Sequence, residues 1–277
     1  MPRAPINGTE LFYDQVGEGE PLLFHHGYTG SHDAWEGVLP AFKDRYRCIV
    51  MDARGAGDSA HPADGYNIQQ YAADVVAMAD HLGIERFTYI GHSMGGVIGM
   101  ELGLSYPGRL DRLVLVAPAP ADGIKFPGME DQHARSRQLR AARDVDTMLR
   151  ERIALSARPD AARAARSTQR ALSVADGHFE ESWESMVGYE VGERLGEIKV
   201  PTLMMAGAAD GLLAANLKDF LRLGNATLHV FSRVSHGMEY EAPEEFNPVL
   251  ADFLEHGVVT ASSLLRAMRE SEPVAAR

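Results

Sequence analysis

The chain has 277 residues, of which 45% are hydrophobic and 24% charged, a composition typical of a folded globular protein. It carries 27 Lys and Arg against 39 Asp and Glu, and the net charge of −12 argues against nucleic acid as a partner. The one cysteine, Cys48, excludes an internal disulfide and a cysteine-based zinc cluster.

The first residues lack the apolar segment of a secretory signal, and apolar runs such as 113–117 are too short to cross a bilayer. We therefore expect a cytoplasmic protein without a membrane partner. A monomer or a homodimer is expected.

Short apolar runs alternate with helical patterns, which predicts an α/β sheet with helical crossovers. The predicted strands are residues 9–16, 21–25, 46–51, 87–90, 113–117, 202–206 and 227–231, and helical spacing covers 68–82, 97–105 and 244–255. Residues 121–194 show no convincing strand and predict a helical insertion. Residues 1–120 and 195–277 then form the core, with 258–277 as an extra tail in which 262–270 could form another helix.

The segment Gly91-His92-Ser93-Met94-Gly95 fits the G-x-S-x-G pattern between a predicted strand and a predicted helix. A serine on such a sharp turn projects its hydroxyl above the sheet, and the helix N-terminus favours developing negative charge. The pattern therefore predicts Ser93 as a nucleophile. The alternative is a glycine-rich turn in which the serine only caps the helix.

A serine nucleophile needs a histidine base that is held by a carboxylate. Among 11 histidines, His236 follows the predicted strand 227–231, and Asp210 follows the strand 202–206. Both positions are carboxyl ends of parallel strands, where α/β sheets place ligands. Taken singly, His236 could be a surface histidine and Asp210 a helix cap, but their order after Ser93 predicts a catalytic triad.

The loop after the strand 21–25 can direct the backbone N–H of Tyr28 at an oxyanion, with the N–H of Met94 as the second donor. We expect His26 to fix this loop and His25 to be a buried core histidine. The glycine-rich turn at residues 52–59 lacks the Lys-Ser/Thr pair of a phosphate-binding loop. No metal-ligand pattern is present, so neither a cofactor nor a metal is expected.

These motifs, in this order, resemble the α/β-hydrolase fold family of the Ser-His-Asp type over roughly residues 6–120 and 195–256. The resemblance implies a mostly parallel eight-stranded sheet flanked by helices, with a helical cap at residues 121–194 inserted after the sixth strand. It also implies Ser93 as nucleophile, His236 as base, Asp210 as orienting acid, and Tyr28 and Met94 as oxyanion-hole donors.

The resemblance also distinguishes classes within the family. Ser93 argues against the dehalogenases and epoxide hydrolases, which use an aspartate nucleophile. Gly237 and Met238 follow His236, where ring-cleavage C–C hydrolases often have a tryptophan. Tyr28 stands where the cofactor-free haloperoxidase-like members often have a tryptophan.

Four side chains are predicted to bind substrate: Trp183, Met186, Leu212 and Met238. With them the pocket should suit a largely apolar small molecule. Residues 133–170 hold ten arginines and four acidic residues. Such a stretch is usually the solvent-exposed face of helices, although it could bind an anionic group.

The predicted function is that of a serine hydrolase that cleaves a carboxylic ester or lactone through an acyl-enzyme intermediate. The alternative is a C–C bond hydrolase or lyase that uses the same triad on an anionic diketone-like substrate. A ligand-binding protein on the same scaffold is a third hypothesis, against which the complete Ser-Asp-His set argues. The substrate itself is not identified by these motifs.

Overall fold

A computed structural model describes residues 2–125, 128–261, 263–265 and 268. Eight strands form one sheet in the order β1-β2-β4-β3-β5-β6-β7-β8. The strands are β1 (Arg3–Ile6), β2 (Thr9–Val16), β3 (Glu20–His25), β4 (Tyr46–Met51), β5 (Phe87–His92), β6 (Leu110–Val116), β7 (Thr202–Gly207) and β8 (Ala226–Phe231). The pairs β1–β2 and β2–β4 are antiparallel and the other pairs are parallel. The predicted mostly parallel, eight-stranded sheet is confirmed.

Ten α-helices accompany the sheet between residues 39 and 256 of the described chain. They are α1 (Leu39–Phe42), α2 (Ile68–His81), α3 (Met94–Ser105), α4 (Met129–Ala142), α5 (Val145–Ala154), α6 (Ala161–Ser173), α7 (Asp176–Gly188), α8 (Leu213–Phe220), α9 (Met238–Glu241) and α10 (Pro243–His256). Helix α3 begins three residues before the predicted helix, because glycines at its start weaken the helical pattern. Strand β1 was not predicted from its own pattern, and it pairs with β2 at the sheet edge.

The sheet has an apolar core on both faces. Successive residues alternate between the two cores, so that Leu23 packs on one face while Leu22 and Phe24 pack on the other. Helices α2 and α3 contribute to the first core, and α10 contributes to the second. Burial on both faces explains why these strands form continuous apolar runs instead of alternating ones.

The segment between β6 and β7 holds the helices α4 to α7, and we call residues 121–194 the helical insertion. Its ends meet where Val191 N–H donates to the Ala121 carbonyl at 2.7 Å. Most of the expected tail helix at 262–270 lies outside the described residues. In the part of the chain that the structure describes, no helix is long and apolar enough to span a membrane.

Candidate active site

Ser93 lies in the turn between β5 and α3 with a φ of 54° and a ψ of −110°. A non-glycine residue in this region costs about 1–3 kcal/mol and needs support from its surroundings. The flanking glycines allow the turn: a Cβ on Gly91 would lie 2.1 Å from the Gly95 carbonyl oxygen. A Cβ on Gly95 would lie 2.6 Å from the His25 carbonyl oxygen. Only glycine fits at both positions, so they support the conformation that exposes the serine.

Asp210 and His236 follow β7 and β8, at the same edge of the sheet as Ser93. Asp210 Oδ2 and His236 Nδ1 are 2.8 Å apart, and Asp210 Oδ1 accepts a hydrogen bond from Leu212 N–H at 3.0 Å. Burial alone would raise the pKa of Asp210, but the hydrogen bond and charge of His236 hold that pKa below its usual value. Asp210 is therefore ionised at neutral pH, and its contact leaves Nε2 of the neutral imidazole unprotonated.

Ser93 and His236 both line a cavity of about 290 Å³ between the core and the helical insertion. This volume is at the small end for ligand pockets. Among the described residues the Ser93 hydroxyl has no hydrogen-bond partner, so the hydrogen bond to His236 is not formed. Such contacts often form only when substrate is bound. The geometry brings a free hydroxyl and an imidazole to the same cavity.

The loop after β3 packs directly on the serine turn. A Cβ on Gly27 would lie 2.9 Å from His92 Nδ1 and 3.0 Å from Ser93 Cβ, so a side chain there would press on the serine turn. The Tyr28 hydroxyl donates to the Phe179 carbonyl of α7 at 2.5 Å, which holds the loop to the insertion. Neither Tyr28 N–H nor Met94 N–H donates to another described residue. Both predicted oxyanion donors are therefore unpaired within the described structure.

A buried pair of ionisable groups lies next to the serine turn. His92 Nε2 is 3.0 Å from the His236 carbonyl oxygen, and His92 Nδ1 is 3.1 Å from Glu239 Oε1. Burial raises the pKa of Glu239 to about 8 and lowers the pKa of His92 to about 3. A carbonyl only accepts, so His92 Nε2 carries the ring proton and Nδ1 faces a protonated carboxyl group. Sequence analysis missed Glu239, since nothing in its local pattern distinguishes it from a surface glutamate.

His25 and His26 are both buried and do not line the cavity. His26 Nε2 accepts a hydrogen bond from Ala53 N–H at 3.0 Å, while its Nδ1 donates to the Gly27 carbonyl at 2.7 Å. Burial lowers the pKa of His25 to about 3. His26 thereby joins the loop after β3 to the loop after β4, which is consistent with the structural role expected for it.

One group of potential metal ligands occurs in the described residues, formed by His32, Asp52 and Asp58, whose ligand atoms lie within 4.8 Å of one another. His32 Nδ1 is 2.9 Å from Asp52 Oδ2, and Arg170 Nη1 donates to Asp58 Oδ1 at 2.9 Å. Arg170 therefore places a positive charge beside the group, and its contact with Asp58 joins the loop after β4 to α6.

The four predicted substrate-binding side chains do not line this cavity. Trp183 stacks on His133 with ring centroids 4.5 Å apart, and Met186 and Met238 are buried in the two apolar cores. Leu212 lies in the turn before α8. These four side chains pack within the insertion and the core, and other apolar groups, such as Tyr28, Ile153 and Tyr240, line the cavity.

The cavity wall opposite the serine is built mainly from α5, α6 and the segment between them. Five arginines line it: Arg152, Arg158, Arg163, Arg166 and Arg170. The missed signal was the spacing of residues 163, 166, 167 and 170, which places them on one face of α6. The basic stretch at residues 133–170 therefore has two parts. These five arginines of α5, α6 and the segment between them line the cavity, whereas Arg135 and Arg137 are exposed on α4, as expected for a solvent-facing surface.

Comparison with known proteins gives a family and several relatives. A family model described as alpha/beta hydrolase fold matches residues 20–243. The chain is 29% identical to a non-heme chloroperoxidase of Streptomyces lividans, over 90% of this chain and 97% of that protein. It is 30% identical to the 2-hydroxy-6-oxo-6-phenylhexa-2,4-dienoate hydrolase of Comamonas testosteroni, over 88% of this chain and 91% of that protein.

Solved structures extend the comparison. An N-acyl homoserine lactone degrading enzyme superposes with a TM-score of 0.79 at 29% identity, covering 91% of this chain and 100% of that chain. An esterase from Exiguobacterium antarcticum superposes with a TM-score of 0.83 at 22% identity, covering 91% of this chain and 98% of that chain, and this likeness concerns the fold alone.

Proposed function

Because the chain belongs to the α/β hydrolase fold family, we propose that it is a serine hydrolase that cleaves a carboxylic ester or lactone. One observation carries the proposal: the hydrogen-bonded Asp210–His236 pair and the strained Ser93 turn meet at one cavity. A nucleophile, a base and an orienting acid are the groups that acyl transfer requires. The lactone-degrading structural relative at 29% identity supports the same bond class.

In the proposed first half-reaction, Ser93 Oγ attacks the substrate carbonyl while His236 Nε2 takes the hydroxyl proton. Asp210 stabilises the imidazolium that forms, since its carboxylate already accepts Nδ1–H. The N–H groups of Tyr28 and Met94 donate to the oxyanion. Each donor of this kind typically contributes about 10²–10³-fold to the rate. The imidazolium then protonates the leaving alcohol, and an acyl-serine remains.

In the second half-reaction, His236 takes a proton from a water molecule, and the resulting hydroxide attacks the acyl-serine. Collapse of the second tetrahedral intermediate releases the carboxylic acid, and Ser93 recovers its proton from His236. For a lactone the alcohol and the acid belong to one product molecule. All proton transfers are assigned to His236, so the proposed reaction needs no cofactor.

A second candidate is a C–C bond hydrolase on an anionic diketone-like substrate. The C. testosteroni relative carries the name of such an enzyme, and arginines line the cavity of this chain. The two candidates differ in the scissile bond but use the same serine, histidine and acid. A substrate panel therefore distinguishes them better than a mutation of the triad.

The test is hydrolysis of p-nitrophenyl esters with acyl chains from C2 to C12, together with β-diketones, by wild type and Ser93→Ala. We expect wild type to favour short acyl chains because the cavity is small, and Ser93→Ala to lose about 10⁴-fold or more of kcat. Ser105→Ala is the matched control, since Ser105 ends α3 and does not line the cavity. Undiminished ester hydrolysis by Ser93→Ala would refute the proposal, and faster turnover of diketones than of esters would favour the second candidate.

A further inference from the structure

We propose that Arg152 and Arg163 form an anion-binding subsite, so that the substrate is an ester or lactone whose acyl part carries a carboxylate remote from the scissile bond. This inference rests on the proposed function, because it places the subsite in the same cavity as Ser93 and His236. A substrate with a remote carboxylate takes the place of the largely apolar substrate that the sequence predicts. The two arginines come from different helices of the insertion, α5 and α6.

The other three arginines of the cavity are occupied by carboxylates of the core. Arg170 binds Asp33 at 2.8 Å and also Asp58. Arg158 binds Glu245 at 2.6 Å, with Glu244 also in contact. Arg166 contacts Glu36 at 3.4 Å. These three join the insertion to the core and leave no net positive charge of their own for a ligand.

Arg152 and Arg163 differ from them in having no ion pair with any carboxylate of the described residues. Arg152 Nη1 donates to Ser167 Oγ at 2.8 Å, and its other four N–H groups have no partner there. The Arg163 guanidinium lies over the Tyr240 ring at 5.2 Å from the ring centroid, a contact that leaves its N–H groups open. Both side chains are partly buried. Burial lowers the pKa of Arg152.

Three acidic residues lie near this pair. Burial raises the pKa of Glu239 to about 8, so it is largely protonated at neutral pH. The other two accept hydrogen bonds from neutral groups. Glu241 accepts hydrogen bonds from Ser156 Oγ at 2.7 Å, from Ser235 N–H at 2.8 Å and from the Ser235 hydroxyl. Asp160 accepts the backbone N–H of Arg163 as the N-cap of α6. A ligand carboxylate offers the acceptors that the guanidiniums lack, and hydrogen bonds to charged groups are stronger than neutral ones.

The experiment compares two esters of equal acyl length, the p-nitrophenyl monoester of adipic acid and p-nitrophenyl hexanoate. They differ in one carboxylate at the far end of the acyl chain. We expect wild type to prefer the charged ester in kcat/KM. Each of Arg152→Gln and Arg163→Gln should lower that preference by about 10- to 100-fold, the range of a charge-assisted hydrogen bond, mainly through KM.

Arg150→Gln is the matched control, because Arg150 lies on α5, is exposed and does not line the cavity. It removes the same charge and should leave the preference unchanged. A wild type that prefers the neutral ester would overturn the subsite, as would equal losses for both esters in the two variants. Thermal unfolding shows whether each variant is folded. If Arg152→Gln fails to fold, Arg163→Gln by itself tests the subsite.

Failure of the proposed function is detected separately. Calorimetric binding of the two esters to Ser93→Ala, with and without Arg163→Gln, measures the subsite without turnover. Tighter binding of the charged ester that is lost with Arg163→Gln supports the subsite even if wild type hydrolyses neither ester. Equal binding of both esters refutes the subsite even if wild type hydrolyses both.

Discussion

Glu239 is a fully buried carboxyl group three residues after His236, and its protonation is coupled to folding. Burial raises its pKa to about 8, with the charges of Arg163 and Glu241 acting in opposite directions. In the unfolded chain a glutamate titrates near 4.5. Between these two pH values the folded state keeps a proton that the unfolded state has lost, so this group makes the protein less stable as the pH rises.

Glu239→Gln tests this coupling, because an amide has nearly the shape of the protonated carboxyl group and does not titrate. The free energy of unfolding from urea titrations at pH 5 and pH 8 should fall less with pH in the variant, by about 2–4 kcal/mol. The exposed Glu18→Gln is the control and should behave as wild type does. An identical pH dependence in wild type and Glu239→Gln would show that Glu239 is ionised in the fold.

The strand–turn–helix element from β5 to α3 is built around close backbone approach. Gly95 in the first turn of α3 faces the carbonyl oxygens of His25 and His26, which would lie 2.6 Å and 2.9 Å from an added Cβ. Any side chain there must push the loop after β3 away from the serine turn. The element therefore couples the stability of the turn to the position of the two proposed oxyanion donors.

Gly95→Ala is expected to lower the free energy of unfolding by about 1–3 kcal/mol, the usual cost of overpacking. Ester hydrolysis should fall as well, since the loop that holds Tyr28 N–H is displaced. Gly188→Ala at the end of α7 is the matched control, because an added Cβ there meets no atom within 4 Å. Chemical denaturation and initial rates check both effects, and a Gly95→Ala protein as stable and active as Gly188→Ala would contradict this account.

Across the whole molecule, charge is divided between the acidic core and the basic part of the insertion. Ion pairs join the two parts: carboxylates of the core bind Arg158, Arg166 and Arg170 of the insertion. Single exposed ion pairs contribute little, and salt screens them. Together, however, these three ion pairs hold the insertion over one side of the cavity. Because salt screens ion pairs, the closure of the insertion over the core should depend on ionic strength.

Hydrogen exchange measures this dependence. Raising the salt from about 0.1 M to about 1 M shortens the Debye length from about 10 Å to about 3 Å. Exchange in α5 and α6 should then accelerate several-fold, while exchange in α3, buried in the core, stays constant. Arg170→Gln at low salt should reproduce part of the effect and Arg150→Gln none of it. Salt-independent exchange in α5 and α6 would show that apolar contacts hold the insertion.

Local patterns predicted seven of the eight strands and placed Ser93, Asp210 and His236 just after strands of the sheet. Buried strands reveal themselves as apolar runs, and the carboxyl ends of parallel strands meet at one edge of the sheet, so residues just after those strands must be neighbours. The absence of a strand pattern gave the helical insertion, and the family resemblance added the eighth strand. The roles proposed for the three residues were predictable because topology, not side-chain packing, places them.

The lining of the cavity and the buried pair at the serine turn depended on tertiary packing. Apolar side chains of the insertion, such as Trp183, pack inside it, while Arg152 and Arg163 line the cavity beside apolar groups. Glu239 is buried because α9 folds beneath the serine turn. Such contacts join residues distant in the chain, and hydrophobic periodicity records which face of a helix is buried but not what that face meets.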